Sequence, residues 1–249
     1  MKPFLLALLA CTLLAAAPAE QSMPMASPSP EVSLADRYKI GDAAFRARKS
    51  DAQAREALKQ FRDVYGEHPD DVDATWRLAM ACYFVGLRVE KNTLLKRDLF
   101  AEGRDAAEFG TKREPNCAPC HFWAATDMIL FGQEVGTMKM LFSLTEIQIH
   151  LKRIMELDSK YMSSGAYRIQ GMIEWKLPRI LGGTSKAARE NLEKAVAGSP
   201  DEPLNFLFLA KFLDEELHER TQALAVAKRG MVIKGIPAER IESLESLVE

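Results

Sequence analysis

The strongest constraint on how this chain can fold is a helical register that returns four times. Breaks fall at Pro69, Pro115, Ser159 and Pro200, spaced by 46, 44 and 41 residues. Twelve, eight and five positions before each break stand Ala57/Phe61/Val64, Gly103/Ala107/Gly110, Ile147/Leu151/Ile154 and Ala188/Leu192/Ala195. All are small or apolar, and offsets of four and three put each triplet on one helical face. Seven, ten and fourteen positions after the breaks stand Trp76/Ala79/Tyr83, Phe122/Ala125/Ile129, Ala166/Ile169/Ile173 and Leu207/Ala210/Asp214, where Asp214 alone interrupts the apolar face. From Leu34 onward no strand-like alternation runs for more than a few residues, so the domain is expected to be all-α.

Each unit reads as a pair of helices closed by a proline or polar break. The pattern is that of tetratricopeptide repeats, an aromatic–x₂–Leu–small–x₂–Tyr helix followed by an Ala–x₃–Phe helix and a proline. Trp76-x₂-Ala79-Met80-x₂-Tyr83 and Ala57-x₃-Phe61-x₂-Val64-x₄-Pro69 carry it best. The register predicts a tetratricopeptide-like helical-repeat solenoid of about four to five antiparallel helix pairs, whose stacked face binds something. A helical bundle with accidental periodicity is the competing interpretation, and four units agreeing at six offsets argue against it. The period exceeds the usual length of about 34 residues, which predicts insertions between paired helices around Arg88–Leu95, Gln133–Ser143 and Lys176–Ser185.

The N-terminus has its own logic. Lys2, the apolar run Phe4 to Ala17 and the small–x–small Ala17-Pro18-Ala19 predict a signal peptide over residues 1–19. Residues 20–33, with Pro24, Pro28 and Pro30 among serines and methionines, read as a flexible leader, and 34–249 as the helical-repeat domain. Leu8-Leu9-Ala10-Cys11 offers a competing lipoprotein route, anchored at Cys11, that would leave Thr12 to Ala17 as a greasy start to the mature chain. Both place the protein in the bacterial periplasm, where thiols oxidise. A net charge of −2 provides no basic footprint for nucleic acid. No nucleophile–base motif, P-loop or glycine fingerprint is present, and Gly182-Gly183 reads as a loop between paired helices, so no enzyme activity is expected. His68, His150 and His218 lack ligand spacing, and no metal site is expected.

Cys117-Ala118-Pro119-Cys120-His121 pulls in another direction. In an exported chain CxxCH spells covalent haem c, with two thioethers and an axial histidine. Yet Phe122, Ala125 and Ile129, which follow it, occupy the register's helix–helix interface, where a macrocycle would displace the neighbouring pair. A helix N-terminus capped by Asn116, with Cys117 and Cys120 as a candidate disulfide or a reduced pair, is the alternative, and no cofactor is then needed. Cys82 reads as a small buried hydrophobe.

Cys120-His121-Phe122-Trp123-Ala124-Ala125, then Gly132, then Leu157-Asp158-x₂-Tyr161-x₃-Gly165-x-Tyr167-Arg168 resembles one set of bacterial repeat proteins. So does Leu177-Pro178-x₂-Leu181-Gly182-Gly183-x-Ser185-x₂-Ala188-x₃-Leu192-x₂-Ala195. These are similar to the TatT family, the T component associated with some TRAP transporters, over about residues 34–230. The resemblance implies a non-enzymatic periplasmic binding component, often lipid-tethered, that can form a homo-trimer. It further implies association with a TRAP-type solute-binding protein and an apolar passage for a hydrophobic small molecule. The chain departs from that family in lacking a clear lipobox. Eukaryotic regulators of microtubule dynamics share a similar repeat pattern, but the signal peptide argues against that branch. Met138, Met140 and Phe142 in one insertion, and Phe206 and Phe208 in Leu204–Phe212, are candidate ligand-lining residues, with ordinary core packing as the competing role. A scaffold for envelope protein assembly is the alternative function.

Overall fold

Side chains that accept orphan N–H groups define where the helices begin. In the computed structural model, which describes residues 32–47, 50–136 and 141–233, Asp71 Oδ1 accepts from the N–H groups of Asp73 and Ala74 at 2.8 and 3.3 Å. Asn92 Oδ1 accepts from Leu94 and Leu95, Thr184 Oγ1 from Ala187, and Glu202 Oε1 from Leu204, where Pro203 also presets the first helical φ. The helices are α1 (Leu34–Ala47), α2 (Asp51–Glu67), α3 (Val72–Phe84), α4 (Thr93–Arg113) and α5 (Ala118–Val135), then α6 (Leu144–Leu157), α7 (Tyr161–Lys176), α8 (Ser185–Gly198), α9 (Pro203–Glu215) and α10 (Arg220–Met231). No strand occurs among the described residues. The chain divides at Ser33/Leu34, and the ten helices of the described residues belong to the second unit. The signal peptide, the Cys11 anchor and the leader up to residue 31 lie outside the described residues, as do Met138 and Met140.

Sequential helices pack as antiparallel neighbours, giving the pairs α1/α2, α3/α4, α5/α6, α7/α8 and α9/α10. The first helix of each of the middle pairs also touches the first helix of the next, α3 on α5, α5 on α7 and α7 on α9, which makes the array a repeat stack. All four triplets preceding the breaks are buried, as the register requires. The expected insertions fall between paired helices: a π-helical turn at Val85–Val89 after α3, the stretch 136–143 after α5, and a 3₁₀ turn at Arg179–Leu181 after α7. Asp214 is half-buried and accepts from Arg220 at 2.9 Å, so its charge is met at the start of α10.

The main core gathers around α5. Phe122, Trp123, Ala125 and Met128 meet Ala79 of α3, Ala107 of α4, Ile147, Leu151 and Ile154 of α6, and Ala166 of α7. Burying side chains of this size stabilises by about 1.5–3 kcal/mol each before entropy is counted. Close approach of α4 to its neighbours depends on a missing Cβ. At Gly110 a Cβ would come within 2.8 Å of Cys120 Sγ and closer still to Thr75 Oγ1.

One helix start breaks the pattern. Met162, Ser163 and Ser164 take φ values of 48°, 56° and 59°, the left-handed region that L-residues other than Gly, Asn and Asp seldom enter. Ser164 Oγ bonds Ser199 Oγ at 3.0 Å, and Ser163 O accepts from Asn205 Nδ2 at 3.1 Å and Arg168 Nη1 at 3.4 Å. These tertiary bonds hold a turn that local propensity would not choose.

Candidate partner-binding face

The first helices of successive pairs bring a row of aromatic side chains together. The Arg77 guanidinium of α3 lies 4.5 Å over the Tyr38 ring of α1 and 4.1 Å over Trp76, and its nitrogens pair with Asp42 at 3.1 Å and Asp73 at 3.2 Å. Trp76 Nε1–H donates to Asp73 Oδ1 at 2.9 Å. Further along, Tyr83 sits 5.2 Å from the Trp123 ring, and Phe122 sits 5.1 Å from Trp123 and 5.3 Å from Tyr161. Trp123 Nε1–H donates to Tyr161 Oη at 3.2 Å, and burial pushes the Tyr161 hydroxyl up to about 12. Trp76, Met80, Tyr83, Tyr161 and Ile169 are half-buried against the main core. They are anchored by their apolar bodies and reach solvent at their edges. Trp, Tyr and Arg held this way are the residue types that carry binding energy at protein interfaces.

The CxxCH segment is a different kind of place. Cys117 and Cys120 form a disulfide with Cα atoms 5.3 Å apart. The helix cap is Cys117, whose Sγ accepts the Cys120 N–H at 3.1 Å, and not Asn116 as expected; Asn116 Oδ1 instead accepts from Arg153 Nη2. His121 has both ring nitrogens engaged: Nε2 donates to Pro115 O at 3.0 Å, so Nδ1 is an acceptor and receives the Nδ1–H of His150 at 2.8 Å. His150 Nε2 is then a buried lone pair without a partner. Burial lowers both imidazoles, His150 to about 4 with His121 beside it as the second cause. With the two sulfurs joined and His121 hydrogen-bonded at both nitrogens, this geometry does not fit a covalent haem. No cluster of three or more His, Cys, Asp or Glu able to hold a metal occurs among the described residues.

Two buried polar groups were not foreseen in the sequence. Asp127 of α5 is fully buried against Gly103 and Cys82, with neither carboxylate oxygen hydrogen-bonded; burial raises it well above the usual carboxylate range. Asn205 of α9 uses Nδ2 toward Ala195 O, Ser199 O and Ser163 O, while its Oδ1 accepts from Arg168 Nη1 at 2.6 Å. Cys82 is buried, as expected of a small hydrophobe, and its thiol faces Glu102 Oε2 at 3.7 Å.

Of the candidate ligand-lining residues, the described ones, Phe142, Phe206 and Phe208, do not share one lining. Phe206 is buried in the α8–α10 core with Leu192, Leu209 and Phe212, and Phe208 packs against the same cluster. That is core filling, with Arg229 over the Phe206 ring at 5.3 Å. Phe142 is 87% exposed in the α5–α6 connection. A cleft of about 320 Å³ opens between the end of α7 and Glu216, lined by Trp175 and Leu177 but also by Glu174, Lys176, Arg179 and Ser185.

Comparison with known proteins follows the architecture. The model of a family described as regulator of microtubule dynamics protein 1-3 matches residues 38–248, which corrects the expectation that the N-terminal sequence argues against that branch; the resemblance to the TatT family finds no counterpart in this match. Among solved structures, the chain is similar to TTC0263, a thermophilic TPR protein of Thermus thermophilus, at 16% identity and a TM-score of 0.66, covering 87% of this chain and 99% of that one. It is also similar to a double mutant of MamA RS-1, at 14% identity and a TM-score of 0.52, covering 86% and 97%. At such identities the likeness shows the fold, a tetratricopeptide-like helical stack. No curated protein matches the chain in sequence.

Proposed function

This chain belongs to the regulator of microtubule dynamics protein 1-3 family, and from that premise we propose that it is a non-enzymatic binding scaffold. The partner is a protein, gripped by the aromatic row on the first helices of its repeats. The observation that carries this is the half-buried set Trp76, Tyr83 and Tyr161, with Arg77 clamped between Tyr38 and Trp76. Pre-ordered aromatic rings lose little side-chain entropy on binding. In its more specific form the scaffold works in the bacterial envelope as a TatT-like component, which associates with a TRAP-type solute-binding protein and hands on a hydrophobic ligand. The apolar N-terminus and the sequence resemblance support that form, while the family match speaks to the repeat architecture and not to the compartment.

Calorimetric titration of the protein with a TRAP-type solute-binding protein tests the specific form. Binding is expected, and Trp76→Ala together with Tyr83→Ala should weaken it by at least about tenfold with helix content unchanged. No heat of binding would remove the transporter partner. Binding that the double variant leaves intact would move the partner away from the aromatic row.

A further inference from the structure

Every insertion that lengthens these repeats sits between the two helices of a pair. Because the helices run up and down, the α3–α4, α5–α6 and α7–α8 connections share one edge of the stack. The four breaks at Pro69, Pro115, Ser159 and Pro200 share the other. Neighbouring connections on the first edge touch: Ser185 Oγ donates to Glu216 Oε1 at 3.0 Å, joining the α7–α8 connection to the next.

That edge is where large apolar side chains are left in water. Leu87, Leu94 and Leu95 stand exposed around the first insertion, Phe142 in the second, and Ile180 (92% exposed) with Leu181 in the third. Elsewhere among the described residues such exposure is scattered singly, at Ile40, Ile149 and Met162 for instance. Cations flank the apolar tips in the chain: Lys91, Lys96 and Arg97 beside the leucines, and Lys176, Arg179 and Lys186 beside Ile180 and Leu181, where Glu174 and Glu216 line the same cleft. Glu90, the acid inside the first group, is buried and paired with Arg55 at 3.0 Å; Asp98 pairs with Arg97, and Glu215 with Lys176 at 3.8 Å. Lys96 and Arg97 lie in the first turns of α4, where the helix dipole disfavours positive charge, so helix stability does not explain them. The opposite edge is richer in acids: Asp70, Asp71, Glu114, Asp158, Asp201 and Glu202, with Lys112, Arg113 and Lys160 as cations and Arg113 paired with Asp70.

We propose that the insertion edge docks on an anionic lipid bilayer. Leu94, Leu95, Phe142 and Ile180 enter the boundary between headgroups and acyl chains, while the surrounding cations meet lipid phosphates. Apolar prongs on separate loops, the first of them flanked by an excess of cations, suit a surface that is greasy below and negative above. A second copy offering its acidic edge would satisfy the cations, but it would leave Ile180 and Phe142 in water.

Vesicle flotation of the full chain tests the assignment. The chain should partition onto phosphatidylglycerol-containing vesicles, weakening with salt and by up to about fivefold for each of Lys96→Gln and Arg179→Gln. The triple variant Leu94→Ser, Leu95→Ser, Ile180→Ser should lose at least about tenfold against the parent chain; the N-terminal apolar run is common to both, so the difference belongs to the edge. Tryptophan placed as Ile180→Trp should be quenched by brominated acyl chains, and the same probe as Ile149→Trp should not. Equal partitioning of parent and triple variant, indifference to phosphatidylglycerol, or equal quenching at the two sites would overturn the proposal. So would self-association in sedimentation that the triple substitution abolishes while vesicle binding persists, which would give the edge to a second copy.

Discussion

His150 and Asp127 are two buried titratable side chains that pull stability in opposite directions with pH. His150 is held near 4 in the fold against an ordinary imidazole value of about 6.5, so as pH falls through that window the unfolded chain takes up a proton first. Stability is present above about 6.5 and drains as pH drops toward 4, by up to about 1.4 kcal/mol per pH unit, and His121 acts in the same sense. Asp127 behaves inversely. Its raised value keeps the folded carboxyl protonated while the unfolded one ionises above about 4, so this contribution falls as pH rises. Separate substitutions should therefore separate the slopes in denaturant unfolding between about pH 4 and 7. His150→Asn, whose amide can still donate to His121 Nδ1, should flatten the acid-side loss. Asp127→Asn should stabilise at neutral pH by about 1–3 kcal/mol, with the gain vanishing toward pH 4. Parallel stability–pH curves for all three proteins would show that neither group titrates as its burial implies.

At the scale of helices, the junction from α8 to α9 depends on Asn205, whose amide adds a second bond to the carbonyls of Ala195 and Ser199, which already accept the Ser199 and Glu202 N–H groups, and anchors Arg168. Asn205→Leu removes the amide from a fully buried site and takes an acceptor from the Arg168 guanidinium. The expected cost is about 2–3 kcal/mol, read as a Tm lower by roughly 5–10 °C; a shift under about 2 °C would mean that the backbone bonds those carbonyls already accept are sufficient without the amide. Nothing in the sequence marked Asn205, because its partners lie up to 42 residues away and do not follow the repeat period. The left-handed run at Met162–Ser164 was hidden for the same reason, and so was the exchange by which Cys117 replaced Asn116 as the cap of α5. The register, by contrast, was written openly. Ala57/Phe61/Val64 and its three counterparts needed only spacing to reveal the buried faces, and the excess over the usual repeat length marked each insertion. Burial follows period; polar satisfaction follows tertiary neighbours. That is why the fold could be read and the His121–His150 pair could not, although CxxCH drew attention to one of its members.

Stacked pairs that touch only their neighbours should not share one stability. α5 is buried without interruption from Cys120 to Met128, and its cluster draws on α3, α4, α6 and α7. The last pairs have a cluster of their own around Leu192, Phe206, Phe212 and Leu213. Nearest-neighbour coupling then predicts two responses to core truncation. Phe122→Ala, at about 3–5 kcal/mol, should lower hydrogen-exchange protection from α3 through α7, because the ring abuts Trp123, Tyr161 and the backbone at Gly165. Leu213→Ala, at about 2–5 kcal/mol, should lower protection in α8–α10 and leave α2–α4 unchanged. If Leu213→Ala instead reduces protection evenly back to α1, the helices form one cooperative block. In that case a partner bound at the aromatic row would tighten the distant insertion edge as well, whereas in a nearest-neighbour stack the two faces respond separately.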